Sequence, residues 1–201
     1  MAIEYWNPTP IGFYDVDENE KMGCYLEYLN NKTTISSLME KNVWGDLVSS
    51  TLYKNKNILA LKEFGNFFNL ITKYVNQFCV EINHNLKTEP VYILESWFNS
   101  LEKFGFQDAH SHSDSVESRF LSGVYYFDLD SSIEEGIVFR MYEKDNYFFI
   151  KNGYRLVKYD YIPGRIIIFP STLEHKVPFK KSDGVRLSVS FNIKIVSTKN
   201  V

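Results

Sequence analysis

The sequence predicts an α+β domain in which helices cover one face of an antiparallel β-sandwich or barrel. Two patterns indicate this class. Before residue 90, apolar side chains recur at three- and four-residue steps, as they do in amphipathic helices. After Pro90, short β-branched or aromatic segments alternate with Gly, Pro, Asp, Asn and Ser, as in strands joined by turns. The 201 residues are enough for one such domain, and we expect a single domain over residues 1–201.

Three helices are predicted in residues 1–89, which we expect to be mainly a helical support. The strongest runs from about Asn57 to Asn85. Its apolar stripe consists of Leu61, Phe64, Phe67, Phe68, Ile71, Val75, Phe78 and Ile82. Such a stripe predicts packing against a sheet. Two shorter helices are predicted over about Glu18 to Leu29 and Thr34 to Leu47.

Residues 90–197 are predicted to form the β core, with seven or eight strands. The strand segments are VYILESWF, FLSGVYYFDL, GIVFRMY, YFFI, GYRLVKY, GRIIIFP and VRLSVSFNIKI. In the last segment, polar and apolar residues alternate. Arg186, Ser188, Ser190 and Asn192 share one face. This polar face could point either to solvent or into a site.

Composition and charge exclude several functional classes. Twenty-two basic and 25 acidic residues give a net charge of -3, so nucleic acid is not an expected partner. The chain has no run of about 18 apolar residues and its amino terminus has no secretory signal pattern, so no membrane partner is expected. Cys24 and Cys79 form no C-x-x-C pair and are predicted to be buried free thiols. We therefore expect a cytoplasmic protein.

Three of the four histidines lie in the β region, where a metal could bind. In an extended backbone, His110, His112 and Asp114 point to the same side. His175 follows a buried-looking strand and a turn. Imidazole suits iron, zinc, copper or nickel, and two histidines with one carboxylate are typical of non-haem iron(II) oxygenases. Arg186, eleven residues after His175, would then lie near the metal and could bind a carboxylate with two parallel hydrogen bonds.

Four segments of the chain resemble the 2-oxoglutarate- and iron(II)-dependent oxygenases of bacteria and phages, which are distant relatives of prolyl hydroxylases. They are HSH (110–112), LSGVYYF (121–127), GRIIIFPSTLEHKV (164–177) and RLSVSFNI (186–193). The resemblance implies a double-stranded β-helix, a jelly-roll or cupin-like fold, with the amino-terminal helices packed on one sheet. It also implies a dioxygenase that uses iron(II), 2-oxoglutarate and dioxygen (O2), hydroxylates a substrate, and releases succinate and CO2.

The resemblance assigns the catalytic metal ligands to His110, His112 and His175. Most related oxygenases have Asp at the position of His112. Two ligand sets therefore stay open, namely the three histidines, or His112 and His175 together with Asp114.

The resemblance also assigns three residues to 2-oxoglutarate. Arg186 matches the basic residue that pairs with the far carboxylate of this co-substrate, and Ser188 matches its hydroxyl companion. Tyr126 matches a strand tyrosine that reaches the same carboxylate. The implied substrate is a small molecule or a peptidyl residue such as proline.

A cupin-type metal-binding enzyme or small-molecule binder is the alternative interpretation. Four residues separate His112 of the H-x-H pair from Glu117, which would be the carboxylate ligand, and Pro170 precedes His175 by five residues. Such a protein would use no keto acid. The cupin pattern also requires a glycine at Thr172 and a downstream asparagine that is absent. A third interpretation, a metal-free β-sandwich for protein interaction, leaves the three histidines unexplained.

Overall fold

The structure, a computed structural model, describes residues 9–42, 44–112, 119–127, 134–142 and 154–196. The helices are α1 (Glu18–Asn30), α2 (Lys32–Leu38) and α3 (Gly65–Glu81), with short 3-10 turns at Ile58–Ala60 and Lys62–Phe64. The strands are β1 (Gly12–Asp15), β2 (Glu40–Asn42), β3 (Gly45–Ser50), β4 (Val91–Leu101), β5 (Gln107–His110), β6 (Arg119–Tyr126), β7 (Glu134–Tyr142), β8 (Tyr154–Tyr161), β9 (Arg165–Pro170), β10 (His175–Val177) and β11 (Arg186–Ile195).

These strands form two antiparallel sheets that face each other. The large sheet has the order β1-β9-β6-β11-β4-β3-β2, and the small sheet has the order β5-β10-β7-β8. Val124 and Phe169 of the large sheet lie in one buried cluster with Ile137 and Phe139 of the small sheet. The predicted α+β class with an antiparallel sandwich is confirmed.

The helices cover the outer face of the large sheet. Phe67, Ile71 and Phe78 of α3 lie in one buried cluster with Tyr125 of β6 and Phe191 of β11. Because successive side chains of a strand point to opposite faces, the neighbouring residues of β6 and β11 point toward the small sheet. The helices therefore cover one face of the large sheet, and its other face is directed toward the small sheet, where a cavity can lie between the two sheets.

Two of the three predicted helices form close to their expected positions. Helix α1 coincides with the prediction of Glu18 to Leu29. Helix α3 is shorter than the predicted span of Asn57 to Asn85, because Leu61 has an extended backbone (φ -74°, ψ 135°) that separates two 3-10 turns before Gly65. No helix in the described part of the chain is long and apolar enough to span a membrane.

The helix predicted over Thr34 to Leu47 was wrong beyond Leu38. Strands β2 and β3 replace its second half, and Gly45, the first residue of β3, has a φ of 100°. Strand β3 pairs with β4, where Val48 lies opposite Leu101. This partner is far away in the sequence, so local periodicity does not show it. The amino-terminal half thus contributes strands as well as helical support.

After Pro90, the described residues contain eight strands, in agreement with the seven or eight predicted. Two of them, β5 and β10, were not among the predicted segments. The predicted strand YFFI lies outside the described residues. Cys24 and Cys79 are buried and free, as predicted.

Gly123 in the SGVYY run is a position of close packing. A Cβ atom there would lie 2.8 Å from the carbonyl oxygen of Ile167 and would overlap the ring of Phe191. We expect Gly123→Ala to lower the free energy of unfolding by about 2 to 3 kcal/mol, because neither the backbone nor the buried ring can move away without cost. Urea denaturation measures this. Gly65→Ala is the control, because nothing lies within 4 Å of its Cβ position, and an equal loss in both variants would contradict the explanation.

Candidate metal and co-substrate site

Three histidines come together at the edge of the small sheet. His110 is the last residue of β5 and His175 the first of β10, and the two lie opposite each other in the antiparallel pair. His112 follows two residues after β5, where its backbone N–H donates to the carbonyl of Ser171 at 2.9 Å. One ring nitrogen from each histidine lies within 4.8 Å of the other two. This is a geometry in which three imidazoles could hold one metal ion.

Hydrogen bonds to backbone carbonyls select the tautomers of two of these histidines. The Nδ1 atom of His110 lies 2.7 Å from the carbonyl oxygen of Asp108, and Nδ1 of His175 lies 2.9 Å from that of Leu173. A carbonyl oxygen can only accept, so each Nδ1 must carry the proton and donate it. In the neutral ring, Nε2 then keeps its lone pair, which is the state that a metal ligand needs.

The third histidine is oriented by side chains. Nδ1 of His112 lies 2.7 Å from Oδ1 of Asn192 and 3.0 Å from Oγ of Ser122. The Nδ2 group of Asn192 donates to Oε2 of Glu95 at 2.7 Å. This second bond turns the amide oxygen of Asn192 toward His112, so Nε2 of His112 is also left with its lone pair.

Burial keeps His175 neutral. Removal from water, together with the nearby rings of His110 and His112, lowers the pKa of His175 from 6.5 to about 3. His175 packs against Phe169, with ring centroids 4.8 Å apart. At neutral pH its ring is therefore available to a metal without first losing a proton.

In metal-free protein, we expect the free energy of unfolding to fall as the pH drops below about 6.5, with His175 as one cause. Its folded pKa lies below its unfolded value, so the unfolded chain takes up the proton first and acid favours unfolding. The slope for one proton is about 1.4 kcal/mol per pH unit. Urea denaturation at about pH 7 and about pH 5 should show a smaller difference for His175→Gln than for the unmodified chain. The same pH dependence in both would contradict this assignment.

A second group of residues lies around Arg186. Its side chain is buried, and its guanidinium carbon lies 5.4 Å from the centre of the Tyr161 ring. Tyr126 is also buried and contacts Tyr161, with ring centroids 4.7 Å apart. Burial raises the pKa of Tyr126 to about 12, against the opposing effect of the positive charge on Arg186. Tyr126 is thus a neutral phenol beside a buried cation.

One cavity of about 460 Å³ connects the two groups of residues. Its lining includes the three histidines together with Arg186, Ser188, Ser190, Asn192 and Tyr126. The polar face of β11 therefore points into this cavity and not to bulk solvent, which decides between the two interpretations of its alternating pattern. The opposite face of β11, with Val189, Phe191 and Ile193, lies in the core beneath the helices.

Several lining residues were not identified from the sequence. Trp44 contacts His110, with ring centroids 5.2 Å apart, and Trp97 contacts His112 at 6.1 Å. Glu95 was also missed, although an acidic residue inside the apolar run VYILESWF is a signal that could have indicated it. Two proposed ligands, Asp114 and Glu117, lie outside the described residues.

The sequence matches one protein family, and the fold matches several solved structures. The family model described as "Putative 2OG-Fe(II) oxygenase" matches residues 95–192. No curated protein matches the chain significantly. A prolyl hydroxylase from Trichoplax adhaerens, in complex with a hypoxia inducible factor peptide fragment, is similar with a TM-score of 0.64 and 11% identity, over 92% of this chain and 83% of that chain.

Two further structures show the same likeness. A prolyl-4-hydroxylase from Pseudomonas putida has a TM-score of 0.60 and 16% identity, over 92% of each chain. HygX from Streptomyces hygroscopicus, solved with nickel, 2-oxoglutarate and hygromycin B, has a TM-score of 0.58 and 11% identity, over 92% of this chain and 83% of that chain. The likeness confirms the expected double-stranded β-helix. The family match confirms the predicted resemblance and, with it, the predicted enzyme class of 2OG-Fe(II) oxygenases.

Proposed function

We propose that this chain, whose residues 95–192 match the 2OG-Fe(II) oxygenase family, uses iron(II), 2-oxoglutarate and dioxygen to hydroxylate a substrate, with release of succinate and CO2. One observation carries this proposal. Three histidines with available Nε2 atoms and a buried arginine line the same cavity. A metal site alone would not need the arginine, whereas a dicarboxylate co-substrate does.

The three histidines fit iron(II). Imidazole is a suitable ligand for this ion, and the hydrogen bonds at Nδ1 support Nε2 of His110, His112 and His175 as the ligand atoms. Three protein ligands leave other coordination positions for a chelating keto acid and dioxygen. Asp114 remains the alternative to His110 as third ligand.

Arg186 fits the far carboxylate of 2-oxoglutarate. A guanidinium donates two parallel hydrogen bonds to a carboxylate, and a buried position strengthens them because water does not compete. Ser188 lies two residues further on the same face of β11, and Tyr126 lies opposite Ser188 on β6. With its pKa at about 12, Tyr126 stays protonated and can donate a third hydrogen bond.

When bound, iron(II) supplies the activation of dioxygen, and 2-oxoglutarate supplies two electrons as it is converted to succinate and CO2. The residues of the chain bind and orient the metal ion and the co-substrate. Arg186, Ser188 and Tyr126 hold one end of the co-substrate, so that its keto acid end is directed to the histidines. Trp44 and Trp97 flank His110 and His112 and give that part of the cavity aromatic walls.

The prime substrate is proposed to be a small molecule or a peptidyl residue such as proline. The two indole rings beside the histidines support a compact, largely apolar group at this position, since a pyrrolidine ring packs well on an aromatic face. The Trichoplax neighbour was solved with a peptide fragment and HygX with hygromycin B, so this fold accepts both classes.

An anaerobic titration followed by exposure to air tests the proposed function. Iron(II) and 2-oxoglutarate together should give a weak visible charge-transfer band, and air should then produce succinate. Absence of both the band and succinate would rule out the oxygenase.

A further inference from the structure

A chain of hydrogen bonds connects His112 to a carboxylate. Nδ1 of His112 lies 2.7 Å from Oδ1 of Asn192, and Nδ2 of Asn192 lies 2.7 Å from Oε2 of Glu95. Asn192 lies on β11 and pairs with Glu95 on β4 in the register of the large sheet. The amide of Asn192 is buried and lines the cavity. Two neighbouring strands of the large sheet therefore hold the side chains of Glu95 and Asn192 next to each other.

The carboxylate of Glu95 sets the direction of this chain of hydrogen bonds, that is, which group donates at each step. An ionised carboxylate only accepts, so Asn192 must present its NH2 group to Glu95 and its oxygen to His112. His112 must then donate from Nδ1. Oγ of Ser122 also lies close to both His112 and Asn192, and it contacts Oγ of Ser171. These hydroxyls can donate or accept, so they adapt to the direction but do not set it.

The carboxylate also supplies charge. In a site formed by three histidines, every protein ligand is neutral, whereas the two-histidine, one-carboxylate site carries one negative charge. Glu95 lies two hydrogen bonds from the nearest proposed ligand. A carboxylate that polarises the N–H of a ligating histidine makes its other nitrogen a stronger donor to the metal.

We propose that Glu95 is a positioning residue for the metal site, which acts through Asn192 to hold His112 as the Nδ1–H tautomer and to compensate for the missing ligand carboxylate. This inference rests on the proposed function for its effect on the metal. Its effect on the tautomer of His112 can be tested on the metal-free chain.

The first test is the tautomer of His112 in Glu95→Gln. Glutamine has nearly the same shape as glutamate, but its NH2 group can donate to Asn192, which lets the Asn192 amide turn round and donate to His112. Nitrogen-15 NMR of the metal-free protein at a pH where the ring is neutral should show Nδ1–H in the unmodified chain and a shift toward Nε2–H in the variant. Glu89→Gln is the matched control, because Glu89 lies beside the fourth histidine, with its Oε2 3.7 Å from Nδ1 of His84.

The second test is metal affinity, with cobalt(II) as the probe and its visible absorption as the signal. Glu95→Gln should lower the affinity by about 10- to 100-fold, as other changes to the hydrogen-bond partners of metal-bound histidines do. Glu89→Gln should leave the affinity unchanged. The double variant Glu95→Gln with Asn192→Asp places an acceptor-only, charged group directly on His112 and should recover most of the lost affinity. A purely structural role of Glu95 would not give this recovery.

The outcomes separate this inference from the proposed function. If the unmodified chain binds no cobalt(II), the proposed function fails, and the tautomer measurement still decides the role of Glu95. If the chain binds cobalt(II) and Glu95→Gln binds it equally well, the inference is overturned. Retention of Nδ1–H at His112 in Glu95→Gln would also overturn it.

Discussion

Replacing His175 with alanine should lower the affinity for iron(II) by more than about 100-fold and should abolish succinate formation. This loss of affinity is larger than the loss expected when only a hydrogen-bond partner of a metal-bound histidine is removed. His175 is buried, neutral, and paired with His110, so its Nε2 atom is held at the point where the three imidazoles meet. Anaerobic titration with iron(II) measures the affinity. This is the largest effect that we expect from a single substitution at the site.

His84→Ala is the control for this prediction. The His84 ring lies against Phe120, and its Nε2 atom is 2.8 Å from the carbonyl oxygen of Glu89, away from the three clustered histidines. The His84→Ala variant should bind iron(II) as the unmodified chain does. Equal losses in both variants would indicate general damage to the fold, and no loss in His175→Ala would contradict the proposed metal site.

Comparing His110→Ala with Asp114→Asn distinguishes the two ligand sets. Because His110 lies opposite His175 and donates from Nδ1 to the carbonyl of Asp108, we expect the loss of metal affinity in His110→Ala and little change in Asp114→Asn. The same iron(II) titration measures both. The reverse result would assign the third ligand to Asp114.

Replacing Arg186 with glutamine should weaken the binding of 2-oxoglutarate by about 100-fold or more and leave iron(II) affinity nearly unchanged, since charged, buried hydrogen bonds to a carboxylate contribute several kcal/mol. Glutamine keeps some hydrogen-bonding capacity but has neither the charge nor the planar fork. The binding of 2-oxoglutarate to the iron(II)-loaded protein is measured from the visible band. The affinity of Arg186→Lys for 2-oxoglutarate should lie between those of the unmodified chain and Arg186→Gln, because lysine keeps the charge but not the planar fork.

Arg165→Gln is the matched control for Arg186. Arg165 binds both carboxylate oxygens of Asp15 at 2.7 and 2.8 Å, on the β1–β9 pair and outside the cavity lining. Its substitution should leave 2-oxoglutarate binding unchanged. If Arg186→Gln binds 2-oxoglutarate normally while both variants remain folded by thermal melting, the co-substrate assignment is wrong, and a cupin-type site without keto acid becomes the better interpretation.

The sequence predicted the elements whose pattern is local. The apolar stripe of α3 and the alternation in β11 each occupy one continuous segment, so periodicity was sufficient to find them. The helix predicted to Leu47 failed because β3 is held by its pairing with β4, and a contact over such a sequence distance has no local pattern. Strands β5 and β10 have only four and three residues, too few to show alternation, although they carry His110 and His175.

The proposed metal ligands could be selected from the sequence more easily than the residues around them. H-x-H and a distant histidine are rare enough in this chain to draw attention, and Arg186 followed from the same face of β11. Glu95 and Asn192 depend on strand register, because only the pairing of β4 with β11 places the carboxylate next to the amide. The position of Trp44 beside His110 likewise results from the turn that leads into β3.

A crystal grown with manganese(II) and N-oxalylglycine, a stable mimic of 2-oxoglutarate, tests the central claim most directly. Anomalous diffraction should show one manganese ion bound to Nε2 of His110, His112 and His175, with the far carboxylate of the mimic on Arg186. Manganese at another place, or an ion that contacts His112 without His175, would contradict the proposed site.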